Sequence, residues 1–86
     1  MTRNLTYHND PGYGWLEVPL SDLTTLDMTD KISSCSYQDE ANAYLEEDLD
    51  VGVYLRAARA TGWSVDTKDD YSNNDSFVRR LPPYGG

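Results

Sequence analysis

The chain is poor in cysteine, in long hydrophobic runs and in basic residues. Its 86 residues include a single cysteine, Cys35, which excludes a disulfide within the chain. No apolar run approaches the roughly 18 residues that a membrane span needs, and no basic start leads into an apolar segment. These absences favour one cytoplasmic domain over residues 1–86, of which residues 82–86 are predicted to form a flexible tail.

Acidic residues outnumber basic ones by two to one. Seven Lys and Arg stand against 15 Asp and Glu, so the formal net charge is -8 and the isoelectric point is about 4.2. Direct binding of nucleic acid is disfavoured, because neutralising phosphates takes clustered Lys and Arg. An acidic protein is attracted to basic surfaces, so we expect the partner to be a basic nucleic-acid-binding protein or complex.

The negative charge is concentrated in the middle of the chain, where six acids and no base lie between Lys31 and Arg56. Crowding like charges does not stabilise a fold. The stretch therefore serves either solubility or the display of negative charge spaced like that of a nucleic-acid backbone. The second alternative predicts that these acids and one aromatic neighbour bind the partner: Asp39, Glu40, Tyr44, Glu46, Glu47, Asp48 and Asp50.

Alternating apolar residues and turn chemistry predict six strands. The tetrad Asn9-Asp10-Pro11-Gly12 has the residues that favour a tight turn, and it is predicted to close a hairpin between the first two strands. In the second strand, Leu16, Val18 and Leu20 are predicted to point to one face and Trp15, Glu17 and Pro19 to the other. The predicted strands are residues 5–7, 13–20, 32–37, 43–47, 63–67 and 76–81, with a polar loop at residues 69–75.

Two helices complete the predicted fold. Ser21 is expected to cap a short helix over residues 22–26, and Asp48 or Asp50 to cap the main helix over residues 49–61. Gly62 stands where a glycine commonly ends a helix. The inner stripe of the main helix is predicted to be Val51, Tyr54, Leu55 and Ala58. The order ββαββαββ predicts an α+β fold, with a small antiparallel sheet and one main helix packed on one face.

The side chains that could support catalysis are few, and we expect no enzyme activity, no cofactor and no metal. His8 is the one histidine, the residue type whose unperturbed pKa lies near neutrality, and no nucleophile motif accompanies it. Cys35 has no basic residue within three positions and is expected to be a small, partly buried apolar residue. Oxygen ligands cluster at residues 48–50 and 69–75, but neither segment has the spacing of a calcium-binding loop.

Aromatic residues offer a second hypothesis of another class, a structural or regulatory protein-interaction module that binds through an aromatic surface. Tyr and Trp are favoured in interfaces. Trp15 and Trp63 are expected in the core. The tyrosines set among charges are the expected surface contacts: Tyr37, Tyr44, Tyr71 and Tyr84.

Several segments of the chain resemble small acidic proteins carried by bacteriophages and mobile elements. They are YHNDPGYGWLEVPL at residues 7–20, SYQD at residues 36–39, YLEED at residues 44–48 and DSFVRRLP at residues 75–82. In setting, size and acidity the chain is similar to anti-CRISPR and other anti-defence inhibitors. The resemblance implies an inhibitor in the cytoplasm of the host bacterial cell, with a Cas effector as its target. A monomer is favoured.

Overall fold

The computed structural model describes residues 1–85, and Gly86 of the predicted tail lies outside the described residues. The predicted α+β class is confirmed. At the C-terminal end the order of elements differs from the prediction, because a 3-10 helix replaces the last strand. The elements within residues 1–85 are β1 (Thr2–Asn9), β2 (Gly14–Pro19), α1 (Leu20–Thr25), β3 (Tyr37–Gln38), β4 (Asn42–Glu46), α2 (Asp50–Ala60), β5 (Ser64–Tyr71) and the 3-10 helix (Phe77–Arg80).

The strands form one sheet in the order β3-β4-β2-β1-β5. Neighbouring strands are antiparallel except β1 and β5, which are parallel, with Thr2 opposite Ser64 and Asn9 opposite Tyr71. The prediction of an antiparallel sheet is therefore wrong for this pair. The direction of β5 depends on the path of the chain through α2, whereas alternation along a strand carries no information about direction.

The predicted first hairpin is confirmed, and Asp10 closes its turn. Oδ1 of Asp10 accepts the backbone N–H groups of Gly12 at 2.9 Å and Tyr13 at 3.0 Å, which is the local bonding that favours Asp in turns. Gly14 is required by packing, because a Cβ at this position would collide with the ring of Tyr7. Local chemistry alone therefore specifies this corner of the sheet.

Helix α2 packs on one face of the sheet through the predicted stripe. Tyr54 and Ala58 are fully buried, and Val51 and Leu55 pack against the same core cluster. Of the three positions predicted on one face of the second strand, Leu16 and Val18 lie in β2, whereas Leu20 begins α1. The strand residues of the cluster are Leu5, Leu16, Val18, Ala43 and Leu45. The predicted amphipathic helix and the inward positions of β2 are thus confirmed.

Gly62 follows the C-terminal end of helix α2, as predicted. The φ of Gly62 is 90°, in the left-handed region that glycine adopts without strain. Its N–H donates to the carbonyl of Arg59 at 3.0 Å, and the N–H of Trp63 donates to that of Ala58 at 3.0 Å. This pair of bonds satisfies two carbonyls at the helix end and turns the chain toward β5.

The short helix α1 begins after Pro19, and the predicted cap by Ser21 is wrong, since no side chain caps the helix. Its buried acid, Asp22, connects three elements. The hydroxyl of Tyr54 donates to Oδ2 of Asp22 at 3.0 Å, and the guanidinium of Arg3 contacts Oδ1 at 2.9 Å. Asp22 thus joins α1 to α2 and β1.

The C-terminal segment covers the opposite face of the sheet. Trp15, Tyr44 and Val78 form a second buried cluster there, as expected for Trp15. The predicted strand over residues 76–81 is wrong, because Phe77–Arg80 is a 3-10 helix that lies on this face.

Asp10 holds that segment in place. Its Oδ2 accepts the N–H of Ser76 at 2.9 Å and Nε of Arg79 at 2.7 Å, and its Oδ1 accepts Nη2 of Arg79 at 2.9 Å. The hydrogen bonds from Arg79, followed by the backbone N–H of Ser76, hold the pKa of the Asp10 carboxyl far below its ordinary value. These bonds join positions 66 and 69 residues apart, which explains why the local sequence did not predict them.

The remaining differences lie in the loops. Of the strand predicted at residues 32–37, only Tyr37 lies in a strand, β3. Strand β5 continues to Tyr71 through part of the predicted polar loop. Cys35 is exposed, contrary to its predicted partial burial. Near the C-terminus, the N–H of Tyr84 donates to the carbonyl of Ser36 at 2.8 Å. Within residues 1–85, no helix has the length and apolar character to cross a membrane.

Candidate binding surface

Three of the seven residues predicted to bind a partner are buried. Glu46 and Asp50 are each 2% exposed, and Tyr44 is 3% exposed. A surface that must meet a partner cannot be built from them, so this part of the prediction is corrected. Each has internal hydrogen bonds that account for its burial, since a buried charge is tolerated only when it is hydrogen-bonded or paired.

Glu46 caps helix α2. Its carboxylate accepts the N–H groups of Asp48 at 3.2 Å and Asp50 at 3.3 Å, together with that of Leu49 and the hydroxyl of Tyr13. The prediction that Asp48 or Asp50 caps this helix is therefore wrong. The last residue of β4 instead reaches the N–H groups at the helix N-terminus, where the helix dipole also favours a negative charge.

Asp50 anchors the loop that precedes β3. Its Oδ2 accepts the N–H of Ser33 at 3.1 Å, the Ser33 hydroxyl at 2.7 Å and the hydroxyl of Ser36. The Ser36 oxygen in turn accepts the N–H of Glu46 at 2.9 Å. The two buried acids are thus members of one hydrogen-bond network that fixes the loop against α2.

Tyr44 and Asp39 form a third internal contact, at the turn between β3 and β4. The Tyr44 hydroxyl donates to Oδ2 of Asp39 at 2.8 Å, and Oδ1 accepts the N–H groups of Ala41 at 2.9 Å and Asn42 at 2.8 Å. Partial burial of Asp39 opposes its ionisation, but the bonds from Tyr44 and the two N–H groups outweigh it and lower the pKa of Asp39 below its ordinary value. Within this turn Asp39 is partly exposed and Glu40 is exposed.

Three exposed carboxylates lie around Tyr7, at the end of the sheet where β4 and β5 finish. Glu47 and Asp48 follow this strand directly, and Asp69 lies near the end of β5, opposite Tyr7 in the sheet register. We call Glu47, Asp48 and Asp69 the acidic end. Within residues 1–85, none of the three forms an ion pair with a Lys, Arg or His side chain.

Two tyrosines fix the carboxylates of the acidic end. The hydroxyl of Tyr7 donates to Glu47 at 2.8 Å. The single proton of the Tyr13 hydroxyl is shared between Glu46 and Asp48, with the Asp48 carboxylate at 3.0 Å. Burial, then the bond to Glu47 and the charges of the neighbouring acids, raise the pKa of Tyr7 above its ordinary value. Hydrogen bonding to Glu46, followed by burial and the bond to Asp48, raises the pKa of Tyr13. Both phenols therefore stay neutral donors at physiological pH.

The acids of the central stretch do not form one surface. Asp39 and Glu40 precede β4 and the acidic end follows it, so the five residues of this strand separate the two groups by about 17 Å. Sequence reasoning missed Asp69 because it was assigned to a loop. The parallel pairing of β1 with β5 is what brings this residue beside Tyr7.

His8 is buried between two carboxylates on the opposite face of the sheet. Its Nε2 lies 2.7 Å from Oε1 of Glu17, and its Nδ1 lies 3.4 Å from Oδ2 of Asp70. Its ring also packs edge-on against Phe77, with 5.2 Å between ring centroids. These contacts connect β1 to its two neighbouring strands and to the C-terminal segment. Across residues 1–85, no group of three or more His, Cys, Asp and Glu side chains is placed to hold a metal ion.

Most of the aromatic residues proposed as surface contacts are at least partly buried. Tyr44 is buried, and Tyr37 and Tyr84 are partly buried, whereas Tyr71 is 59% exposed. Trp63 is partly buried against the core, where Arg3 stacks over its ring at 4.4 Å. The exposed surface is therefore richer in unpaired carboxylates than in clustered aromatic rings.

Comparison of the chain with protein-family models, curated proteins and solved structures finds no match.

Proposed function

We propose that the protein is a non-enzymatic phage-type inhibitor that binds the basic nucleic-acid channel of a bacterial defence complex. The target class is a CRISPR effector in the cytoplasm of the host cell, as the resemblance to phage proteins implies. The contact surface is the acidic end. The observation that carries the proposal is that Glu47, Asp48 and Asp69 lie at one end of the sheet, all exposed and none in an ion pair within the described residues.

The energetics of the acidic end favour a role in binding. Like charges at one end of the sheet repel one another, and no ion pair among the described residues offsets this repulsion. The buried acids Asp10, Asp22, Glu46 and Asp50 all have internal donors, so each contributes to the fold. No such structural requirement accounts for three exposed acids at one end. Lys and Arg from a nucleic-acid channel would relieve the repulsion and gain charge-assisted hydrogen bonds.

The geometry favours binding in a second way. The hydroxyls of Tyr7 and Tyr13 already hold Glu47 and Asp48 in place. Side chains that are ordered before association lose less conformational entropy when a partner binds. Strands β2 and β1 lie between β4 and β5 and fix the distance between the charges at their ends. A competitor of nucleic acid requires such a fixed spacing of charges.

The test compares two triple variants that each remove three exposed charges. The first, Glu47→Gln/Asp48→Asn/Asp69→Asn, neutralises the acidic end. The matched control, Asp30→Asn/Glu40→Gln/Asp75→Asn, neutralises three exposed acids elsewhere. Amide side chains keep the shape and an acceptor for each tyrosine. Circular dichroism checks that both variants are folded.

The readout is the plating of phage on a panel of bacterial strains, each with an active CRISPR system of a different type. We expect the natural protein and the control to restore plating on at least one strain, and the acidic-end variant to restore it at least roughly tenfold less. Binding to the purified effector should weaken steeply between about 50 mM and about 200 mM salt. Equal restoration by both variants, or none by the natural protein on any strain, contradicts the proposal.

A further inference from the structure

Strand β5 is an open edge of the sheet. It is the last strand in the sheet order, and seven of its eight residues are exposed. The N–H of Ser64 donates to Met1 at 2.9 Å and that of Ser72 donates to Asn9 at 2.8 Å. Even-numbered positions of β5 therefore bond to β1, and the alternation of a strand directs the N–H and C=O groups of Val65, Thr67 and Asp69 outward.

Such an edge presents unpaired backbone groups to another strand, and proteins commonly protect it with charge. The charges of β5 have an unusual arrangement for that purpose. Lys68 is its single base, and two residues before it stands Asp66, on the same face of the sheet. A strand with this spacing is complementary to a copy of itself that runs in the opposite direction.

We propose that β5 pairs antiparallel with β5 of a second copy of the chain, with the two-fold axis at Thr67. In this register the two Thr67 residues face each other, and Val65 of each copy faces Asp69 of the other. In both pairs the backbone N–H and C=O groups of each residue point away from β1 and toward the second copy, as hydrogen bonding in an antiparallel ladder requires. Asp66 of each copy then lies opposite Lys68 of the other, in the non-hydrogen-bonded positions where side chains are closest.

Symmetric registers centred on a charged residue of β5 are disfavoured by charge. Moving the axis to Lys68 places the two lysines opposite each other and Asp66 opposite Asp70. Moving it to Asp66 or to Asp69 places two identical acids opposite each other. A register that places an odd-numbered residue opposite an even-numbered one breaks the ladder, because the backbone groups of the even-numbered residues already bond to β1. The register centred on Thr67 is the one that forms two ion pairs without placing like charges directly opposite.

The resulting dimer joins two five-stranded sheets into one continuous sheet. It removes both exposed β5 edges, and each copy contributes the same residues, as a two-fold interface requires. The net charge of -8 on each copy opposes association. Physiological salt screens this long-range repulsion and acts less on the close cross-strand pairs. The inference does not depend on the proposed function.

A charge swap tests the ion pairs. The molar mass is measured by sedimentation over a range of protein concentrations at about 0.15 M salt. We expect the natural protein to dimerise, and Asp66→Lys and Lys68→Asp each to raise the dissociation constant by roughly tenfold or more. The double variant Asp66→Lys/Lys68→Asp restores both pairs with reversed polarity, and should recover the natural value to within about threefold.

A cysteine scan tests the register. In a Cys35→Ser background, which removes the exposed native thiol, Thr67→Cys places two cysteines opposite each other at about 5.5 Å between Cα atoms, within disulfide range. Mild oxidation should give a covalent dimer. Asp70→Cys in the same background is the control, because its two copies lie six residues apart along the paired strands, about 20 Å.

A monomer at every concentration, failure of the double variant to recover dimerisation, or equally efficient cross-linking at position 70 would overturn the proposal. Circular dichroism of each variant confirms that a loss of dimer is not a loss of fold. The substituted side chains are exposed on the described chain, so the fold should tolerate them.

Discussion

Glu46 and Glu47 are adjacent acids, and the structure gives them opposite roles. Glu46 is 2% exposed and caps helix α2, whereas Glu47 is exposed at the acidic end. Changing either residue to Gln removes one negative charge at nearly constant volume. We predict that Glu46→Gln destabilises the fold, while Glu47→Gln leaves the stability unchanged and weakens partner binding.

The magnitude follows from the contacts of Glu46. Loss of the negative charge at the N-terminus of α2 costs about 1 kcal/mol. Loss of a charged acceptor for the hydroxyl of Tyr13 costs about 1.5 kcal/mol. Because Gln keeps one oxygen acceptor for the helix N–H groups, we expect a total of about 2–3 kcal/mol. In a domain of this size that corresponds to a decrease of roughly 10–20 °C in Tm. The exposed Glu47→Gln should stay within about 0.5 kcal/mol of the natural protein.

Urea unfolding followed by circular dichroism measures both variants. The midpoint should fall for Glu46→Gln while the slope of the free energy against urea stays constant, since the same surface is exposed on unfolding. If Glu46→Gln and Glu47→Gln unfold at the same urea concentration, Glu46 does not cap the helix in the manner described.

Two further predictions concern buried acids. Tyr54→Phe removes the hydroxyl that donates to Asp22 at 3.0 Å. It should lower the free energy of unfolding by about 1.5–3 kcal/mol, because a buried carboxylate loses a donor. The exposed Tyr71→Phe is the control, and equal urea midpoints for the two variants would contradict the role assigned to Tyr54. Asp10→Asn should lower Tm at neutral pH, and the difference from the natural protein should shrink as the pH falls below about 4. The reason is that the folded pKa of Asp10 lies below its unfolded value of about 3.9, so its stabilisation is present above that value and is lost as the pH falls through the folded pKa. Thermal melts from pH 7 to pH 2 measure this, and a difference that stays constant over the range would show that the charge of Asp10 does not stabilise the fold.

The parts of the fold that the sequence predicted are those with local causes. The hairpin turn is specified by Asp10 and the glycines beside it, and helix α2 by its apolar spacing and Gly62. The parts that it did not predict depend on distant partners. Residues 76–81 have an ordinary strand pattern, and they form a 3-10 helix because Ser76 and Arg79 bind Asp10 from the far end of the chain.

The candidate surface shows the same division. The stretch between Lys31 and Arg56 was correctly identified as the place where acids accumulate, but sequence alone could not separate buried from exposed ones. Glu46 accepts a hydrogen bond from Tyr13, which is 33 residues away in sequence, and Asp50 accepts one from Ser33, which is 17 residues away. Asp69 joins the surface through the parallel pairing of β1 and β5, which no local pattern indicates. Burial of an acid is decided by donors elsewhere in the fold, and the composition of its own segment does not reveal them.

The two proposals together fix the arrangement of a complex. The β5 strands of the dimer run in opposite directions, so the acidic ends of the two copies point to opposite ends of the joined sheet. Their Asp69 residues lie four positions apart along the paired strands, about 14 Å, on either side of the axis. Glu47 and Asp48 lie farther from the axis, beyond β1 and β2 in the sheet order. A single basic channel therefore engages one acidic end, and the dimer binds two partner molecules. The Lys68→Asp variant, which is expected to be a monomer, keeps its acidic end and binds one partner molecule.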